Sequence, residues 1–162
     1  GDAFFIPAGQ IHCIGANNFI IEIQQPSDVT CRVHDFDRRD AQGNLRQLHT
    51  EKARQALRLE EKAYHHAHYN PAPNTRIPLE QHPEFTTALY KIDAPYRIDY
   101  RNLDSFAILI AFEGEAQLTD DEGNTTLLRA GETLLYPATT QYVDVVPRGT
   151  TFSCIETYVD AQ

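Results

Sequence analysis

The sequence predicts an all-β protein, an antiparallel sandwich of the jelly-roll kind with one helix, and three observations lead there. Eight short apolar or alternating runs crowd into about 75 residues after Phe85, each closed by turn chemistry. A second set of such runs occupies residues 1–36. Between them lies one stretch at helical spacing and a proline-rich segment. The chain has 162 residues with 41% hydrophobic and 23% charged, so one ordinary core can be built.

The first set opens on Ala3 to Ile6, which Pro7-Ala8-Gly9 breaks. Expected strands over 2–6, 11–14, 19–23 and 29–34 follow, with Gly15-Ala16-Asn17-Asn18 and Pro26-Ser27-Asp28 as turns. Asp35 to Asn44 is charged and glycine-containing. Thr50, a candidate N-cap with Glu51 in the first turn, starts a helix expected over about 50–62. Ala53, Ala56, Leu57 and Tyr64 share its apolar face. Pro71, Pro73, Pro78 and Pro83 make residues 70–83 an extended connector in this reading. Strands are then expected over 85–92, 96–100, 105–112, 115–119, 125–128, 133–136, 141–145 and 151–158. The domain plan is 1–36, a linker over 37–83, and a jelly roll over 84–162.

Charge and composition narrow the function. With 14 Lys and Arg against 23 Asp and Glu the formal net charge is −9, the wrong sign for nucleic acid or an anionic membrane surface. No apolar run reaches the length of a membrane span. Cys13, Cys31 and Cys154 make no disulfide framework, and a reducing, cytoplasmic setting is expected. The chain contains no methionine and opens on an apolar run, which reads as the continuation of a longer protein.

An internal repeat ties the two ends together. Gly1-Asp2-Ala3-Phe4-Phe5-Ile6-Pro7-Ala8 aligns with Gly131-Glu132-Thr133-Leu134-Leu135-Tyr136-Pro137-Ala138 at a constant offset. Each copy is a turn glycine, an acid, an apolar strand and a proline that redirects the chain. Five residues past the proline the copies diverge, to His12 in one and Tyr142 in the other. The expectation is two related β units, the first present only as its closing strands, with one metal-type histidine and one structural phenol.

Gly1 to His12, with Pro7, Gly9 and His12 at their spacing, resembles the second motif of cupins. The longer stretch Gly1–Gly15, continued by Glu22-Ile23-Gln24-Gln25-Pro26-Ser27-Asp28-Val29-Thr30-Cys31-Arg32-Val33-His34-Asp35-Phe36-Asp37-Arg38, resembles type I phosphomannose isomerases. Leu48-His49-Thr50-Glu51-Lys52-Ala53 resembles the helix that follows in bacterial members. The resemblance implies a cupin jelly roll and a zinc-dependent aldose–ketose isomerase acting on a phosphorylated hexose, mannose 6-phosphate to fructose 6-phosphate. It implies a C-terminal piece, inactive alone, whose second jelly roll holds no metal.

By that resemblance His12 is a zinc ligand, Arg32 the catalytic arginine, and Asp28 and Glu22 acids lining the same pocket. The chemistry suits them. Moving a proton between C2 and C1 through an enediolate needs a carboxylate to carry it and a fixed cation for the developing oxyanion. On spacing alone Arg32 also reads as a strand-edge charge, Asp28 as a turn residue and Glu22 as a solvated position. The family's other ligands come from a Gln-x-His segment and a Glu upstream of the motif, and Gln47-Leu48-His49 lies on the wrong side of it. His65-His66-x-His68 reads as a solvated linker. Two other classes stay open: a non-catalytic sugar- or partner-binding cupin module, and a cupin metal oxidoreductase. Apolar strands over 1–36 that lack cover are expected to form a homodimer.

Overall fold

Alternation and turn chemistry do build the jelly roll, and they fail where a strand has no neighbour to pair with. The computed structural model describes residues 1–27, 29–59 and 65–160. The chain divides into two compact units, Phe4–His65 on one side and Gly1–Ala3 with His66–Gln162 on the other.

Among the described residues ahead of the sandwich the strands are β1 (Phe4–Phe5) and the two-residue β2 (His65–His66) that pairs with it. The ladders expected over 11–14, 19–23 and 29–34 do not form. Their side chains have the right rhythm, but a ladder needs a second chain of N–H and C=O groups alongside. Without one the apolar members stay in solvent: Phe19 is 80% exposed and Val29 73%. Helix α1 runs Thr50–Ala56, shorter than expected. Its N-cap is His49 rather than Thr50, and Leu57 is already extended (ψ 132°). Of the expected apolar face only Ala53 is buried; Tyr64 and residues 60–62 lie outside the described residues. Asp40–Asn44 forms a tight turn in which Oδ1 of Asp40 accepts the N–H groups of Gln42 and Asn44, each at 2.9 Å.

The larger unit is the sandwich. Its strands are β3 (Arg76–His82), β4 (Phe85–Ile92), β5 (Tyr96–Asp99), β6 (Ala107–Glu113), β7 (Glu115–Asp120), β8 (Thr125–Arg129), β9 (Thr133–Tyr136), β10 (Tyr142–Pro147) and β11 (Phe152–Tyr158). A five-stranded sheet runs β3-β4-β11-β6-β9 and a four-stranded sheet β5-β10-β7-β8. All the pairings are antiparallel, with Cys154 opposite Tyr90 on one side and Ala111 on the other. Period-2 alternation sends Leu109, Leu118, Val143, Val145, Phe152 and Cys154 into the space between the sheets, where they are buried.

One expectation is overturned outright. Residues 70–83 are not merely a connector, because Arg76–His82 is a strand. Pro78 is tolerated because β3 is an edge strand, bonded to β4 alone, and the register shifts between Pro78 and Glu80. The histidine linker likewise gains structure, with His66 Nε2 3.2 Å from Asp2 and its ring edge-on to His68 at 4.9 Å.

The two repeat segments keep a common local shape. Gln10 N–H donates to the Pro7 carbonyl (3.2 Å), as Thr140 N–H donates to that of Pro137 (3.0 Å). The turn Asp120–Asn124 also reproduces Asp40–Asn44 bond for bond, Oδ1 of Asp120 accepting from Glu122 and Asn124. Among the described residues no helix is long and apolar enough to cross a membrane. All three cysteines are free thiols, Cys13 exposed and Cys154 buried.

Candidate functional site

The motif residues of the smaller unit are fixed by α1 and the loop before it. Pro7 turns the chain, and Gly9 follows at φ +87°, a left-handed value that favours glycine. A Cβ there would stand 2.7 Å from the Ala56 carbonyl oxygen, while the Gly9 carbonyl accepts the Arg58 N–H at 3.0 Å. The turn before His12 is thus locked to the exit of α1. His12 itself is exposed, and its Nδ1–H donates to the Gln10 carbonyl at 3.1 Å, which leaves the Nε2 lone pair outward.

Arg32 sits in the best-defined polar cluster of this unit. Its main-chain N–H donates to His49 Nδ1 (3.2 Å) and its carbonyl accepts the His49 N–H (2.7 Å), so the N-cap of α1 is tied to it twice. This use of the ring explains why His49 makes no side-chain cap bond. The Arg32 guanidinium is half-buried; Nη1 donates to the Gln47 carbonyl (3.1 Å) and Nε lies 3.7 Å from Asp35. Asp35 is only 8% exposed and gathers three arginines. Arg46 grips it with a two-pronged fork, Nε to Oδ2 at 2.7 Å and Nη2 to Oδ1, and Arg38 stands at 3.7 Å. The fork from Arg46 is the main reason the Asp35 carboxyl is held below its ordinary pKa, against the opposing effect of burial.

Glu22 is exposed, and Asp28 lies outside the described residues. Among the described residues no hydrogen bond or ion pair joins His12, Glu22 and Arg32, and no three His, Cys, Asp or Glu side chains gather as a metal site.

The larger unit holds a second polar constellation that the sequence reading passed over. Glu156, 1% exposed, projects from β11 into the space between the sheets. It accepts Nε–H of Arg76 (2.8 Å) and the Tyr90 hydroxyl (3.4 Å), and Nη2 of Arg76 donates to the Tyr158 hydroxyl (2.9 Å). The buried Tyr100 hydroxyl faces the same carboxylate without closing a hydrogen bond among the described residues. Burial first, and the Glu156 charge second, push the Tyr90 and Tyr100 phenols upward, so they stay protonated donors. A signal existed: Glu156 keeps phase with Phe152 and Cys154, two residues a step, on the inward face.

The paired carboxylates set an acid window. Asp35 is lowered chiefly by Arg46, Asp40 by the Asn44 N–H, Asp144 by Arg97, and Asp99 by Arg101 to about 2. A depressed pKa contributes stability above the unfolded value and loses it as pH falls through the folded one. The near-ultraviolet dichroism is therefore expected to stay flat from neutrality to about pH 5 and to fall only below about pH 4. A titration that loses structure near pH 6 would contradict these pairings.

Curated relatives bear on what this arrangement is for. No protein-family model matches the chain. Mannose-6-phosphate isomerase ManA of Bacillus subtilis strain 168 is 44% identical over 59 residues, 36% of this chain and 19% of the relative. Mannose-6-phosphate isomerase of Streptococcus mutans is 49% identical over a stretch of 59 residues. Putative mannose-6-phosphate isomerase YvyI of Bacillus subtilis is 30% identical over 151 residues, 93% of this chain and 46% of the relative. The chain thus spans between about a fifth and about half of the curated relatives it matches. A crystal structure of mannose 6-phosphate isomerase from Bacillus subtilis superposes with a TM-score of 0.68 at 24% identity, over 82% of this chain and 41% of that one, which speaks to fold alone. The chain is homologous to mannose-6-phosphate isomerases, and its larger unit is a cupin-like jelly roll.

Proposed function

We propose that the chain is the C-terminal part of an isomerase that interconverts mannose 6-phosphate and fructose 6-phosphate in the cytoplasm. The observation that carries the reading is its identity of 44–49% over 59 residues to enzymes named for that reaction. In this reading Arg32 is the fixed cation for the enediolate oxygen, held in place before substrate arrives. A carboxylate moves the proton between C2 and C1, and Asp28→Asn and Glu22→Gln separate the two candidates by which one abolishes turnover.

The zinc implied by the resemblance does not fit these residues by themselves. His12 offers one outward imidazole nitrogen, whereas a zinc site takes at least three protein ligands. In this reading His12 is one ligand whose companions belong to other parts of the longer protein. Equilibrium dialysis of the 162-residue chain is expected to show weak, substoichiometric zinc, while the full-length protein isomerises mannose 6-phosphate in a coupled assay. Tight one-to-one zinc in the chain alone would overturn the ligand assignment; a full-length protein inactive with zinc supplied would overturn the reading.

Exposed apolar groups extend the same proposal to association. Phe4, Ile11, Phe19, Ile20 and Val29 are large, apolar and exposed. Covering one such side chain is worth roughly 1.5–3 kcal/mol. The isolated chain is expected to dimerise through residues 1–36, with sedimentation showing a concentration-dependent rise in mass; a monomer at high concentration removes this expectation.

A further inference from the structure

We infer that Asp35 is a positioning residue for Arg32: it sets the orientation of that guanidinium and so controls turnover without touching substrate. The inference rests on the reading of Arg32 as the cation of an isomerase. Its grounds are the geometry of one loop.

Among the described residues Asp35 is the least exposed acid of its unit, and three guanidiniums converge on it. They do so unequally. Arg46 takes both carboxylate oxygens in a fork, which fixes the plane of the carboxylate. Arg32 and Arg38 then approach the same oxygen, Oδ1, each through Nε at 3.7 Å. The Arg32 side chain is thereby held along one edge, Nε by the Asp35 charge and Nη1 by the Gln47 carbonyl. Among the described residues its Nη2 makes no hydrogen bond, so that end is the one left to meet an anion.

The backbone carrying Asp35 is as constrained as its side chain. Arg38 N–H donates to the Asp35 carbonyl at 3.0 Å, closing a turn whose central residues are Phe36 (φ 52°) and Asp37 (φ 54°). Both have the positive φ of a type I′ turn, which a bulky residue such as Phe36 adopts only when its surroundings demand it. The Phe36 ring meets His34 edge-on at 4.8 Å, and the Arg38 guanidinium stands 5.9 Å over it. The turn thus presents Asp35 in one place, between Arg32 three residues before and Arg38 three after.

Charge decides what such a cluster does. One carboxylate against three arginines leaves the locus positive, so Asp35 aims the guanidiniums and does not neutralise them. A positive, pre-aimed group suits a phosphorylated sugar whose reacting end becomes an oxyanion. Were Asp35 only a fold support, its removal would cost stability and nothing that depends on Arg32.

The experiment compares Asp35→Asn, Arg32→Ala and their combination in the full-length isomerase, with mannose 6-phosphate as substrate. Asp35→Asn is expected to lower kcat by roughly ten- to hundredfold, as misplacement of a catalytic group does, with KM within about threefold. In the Arg32→Ala background the same change is expected to lower kcat no further. Losses that multiply in the double variant, or a kcat for Asp35→Asn within twofold of the parent, overturn the inference. Arg46→Lys, which keeps the charge but loses the fork, gives the milder version should Asp35→Asn fold poorly, with kcat down roughly threefold expected and no change counting against it.

Phenylglyoxal modification of the 162-residue chain supplies a readout free of activity. Mapped by peptide mass, Arg32 in Asp35→Asn should react severalfold faster than in the parent, with exposed Arg54 unchanged as the control. Equal rates at Arg32 overturn the positioning role. A parent enzyme without isomerase activity would instead sink the functional reading, and the modification rates would still decide whether Asp35 holds Arg32.

Discussion

Arg32→Ala in the full-length isomerase is expected to reduce kcat by roughly a hundred- to a thousandfold, the usual loss when one charge-stabilising donor is taken from a developing oxyanion. KM is expected to move little, because an interaction made mainly in the transition state lowers kcat without weakening ground-state binding. The fold should survive. The two bonds that tie residue 32 to His49 run through the main chain and remain in the alanine variant. What is lost is one hydrogen bond to the Gln47 carbonyl and a 3.7 Å ion pair at a half-buried position, about 1 kcal/mol. Steady-state kinetics beside a thermal melt separate the two effects. A rate within threefold of the parent would make Arg32 an ordinary surface ion pair; a raised KM at unchanged kcat would move its role to binding the phosphate.

What the sequence made legible follows from what local patterns can carry. Alternation and glycine or proline punctuation located β4 and β9 to the residue, because both properties belong to single strands. The ladders expected over 11–14, 19–23 and 29–34 had the same alternation and did not form, since pairing depends on a neighbour that alternation does not describe. β3 was missed for the converse reason: Pro78 argues against a strand unless the strand lies at a sheet edge, and edge position is a property of the whole sheet.

The sites divide the same way. The family resemblance pointed to His12 and Arg32, whereas Asp35 was absorbed into the charged stretch 35–44. Its arginine at i−3 and i+3 was a visible hint, but Arg46, which grips it hardest, comes from eleven residues away. Glu156 was hidden by composition, one acid among 23, though its inward phase on β11 was readable.

That buried acid carries the largest expected stability effect. Arg76→Met should destabilise the jelly roll by about 3 kcal/mol, the low end of the range for breaking a buried pair. The low end applies because Arg76 is 34% exposed while Glu156 is 1% exposed, so water reaches one partner and not the other. Among the described residues, removing the guanidinium leaves the carboxylate between two sheets with only the Tyr90 hydroxyl at 3.4 Å and the Tyr100 hydroxyl facing it. Two weak neutral donors do not replace a charged one at 2.8 Å. Removing both charges together is a different case. Arg76→Met with Glu156→Met fills similar volume with apolar groups and leaves no orphaned ion, and such replacements are commonly neutral or stabilising. The double variant is therefore expected to recover most of the loss, and urea unfolding of parent, both singles and the double gives the coupling between them. Additive losses would mean that Glu156 is held by the tyrosines rather than by Arg76. A single Arg76→Met variant as stable as the parent would mean that the hydroxyls of Tyr90 and Tyr100 suffice to hold the carboxylate, and would overturn the importance given to the Arg76 pair.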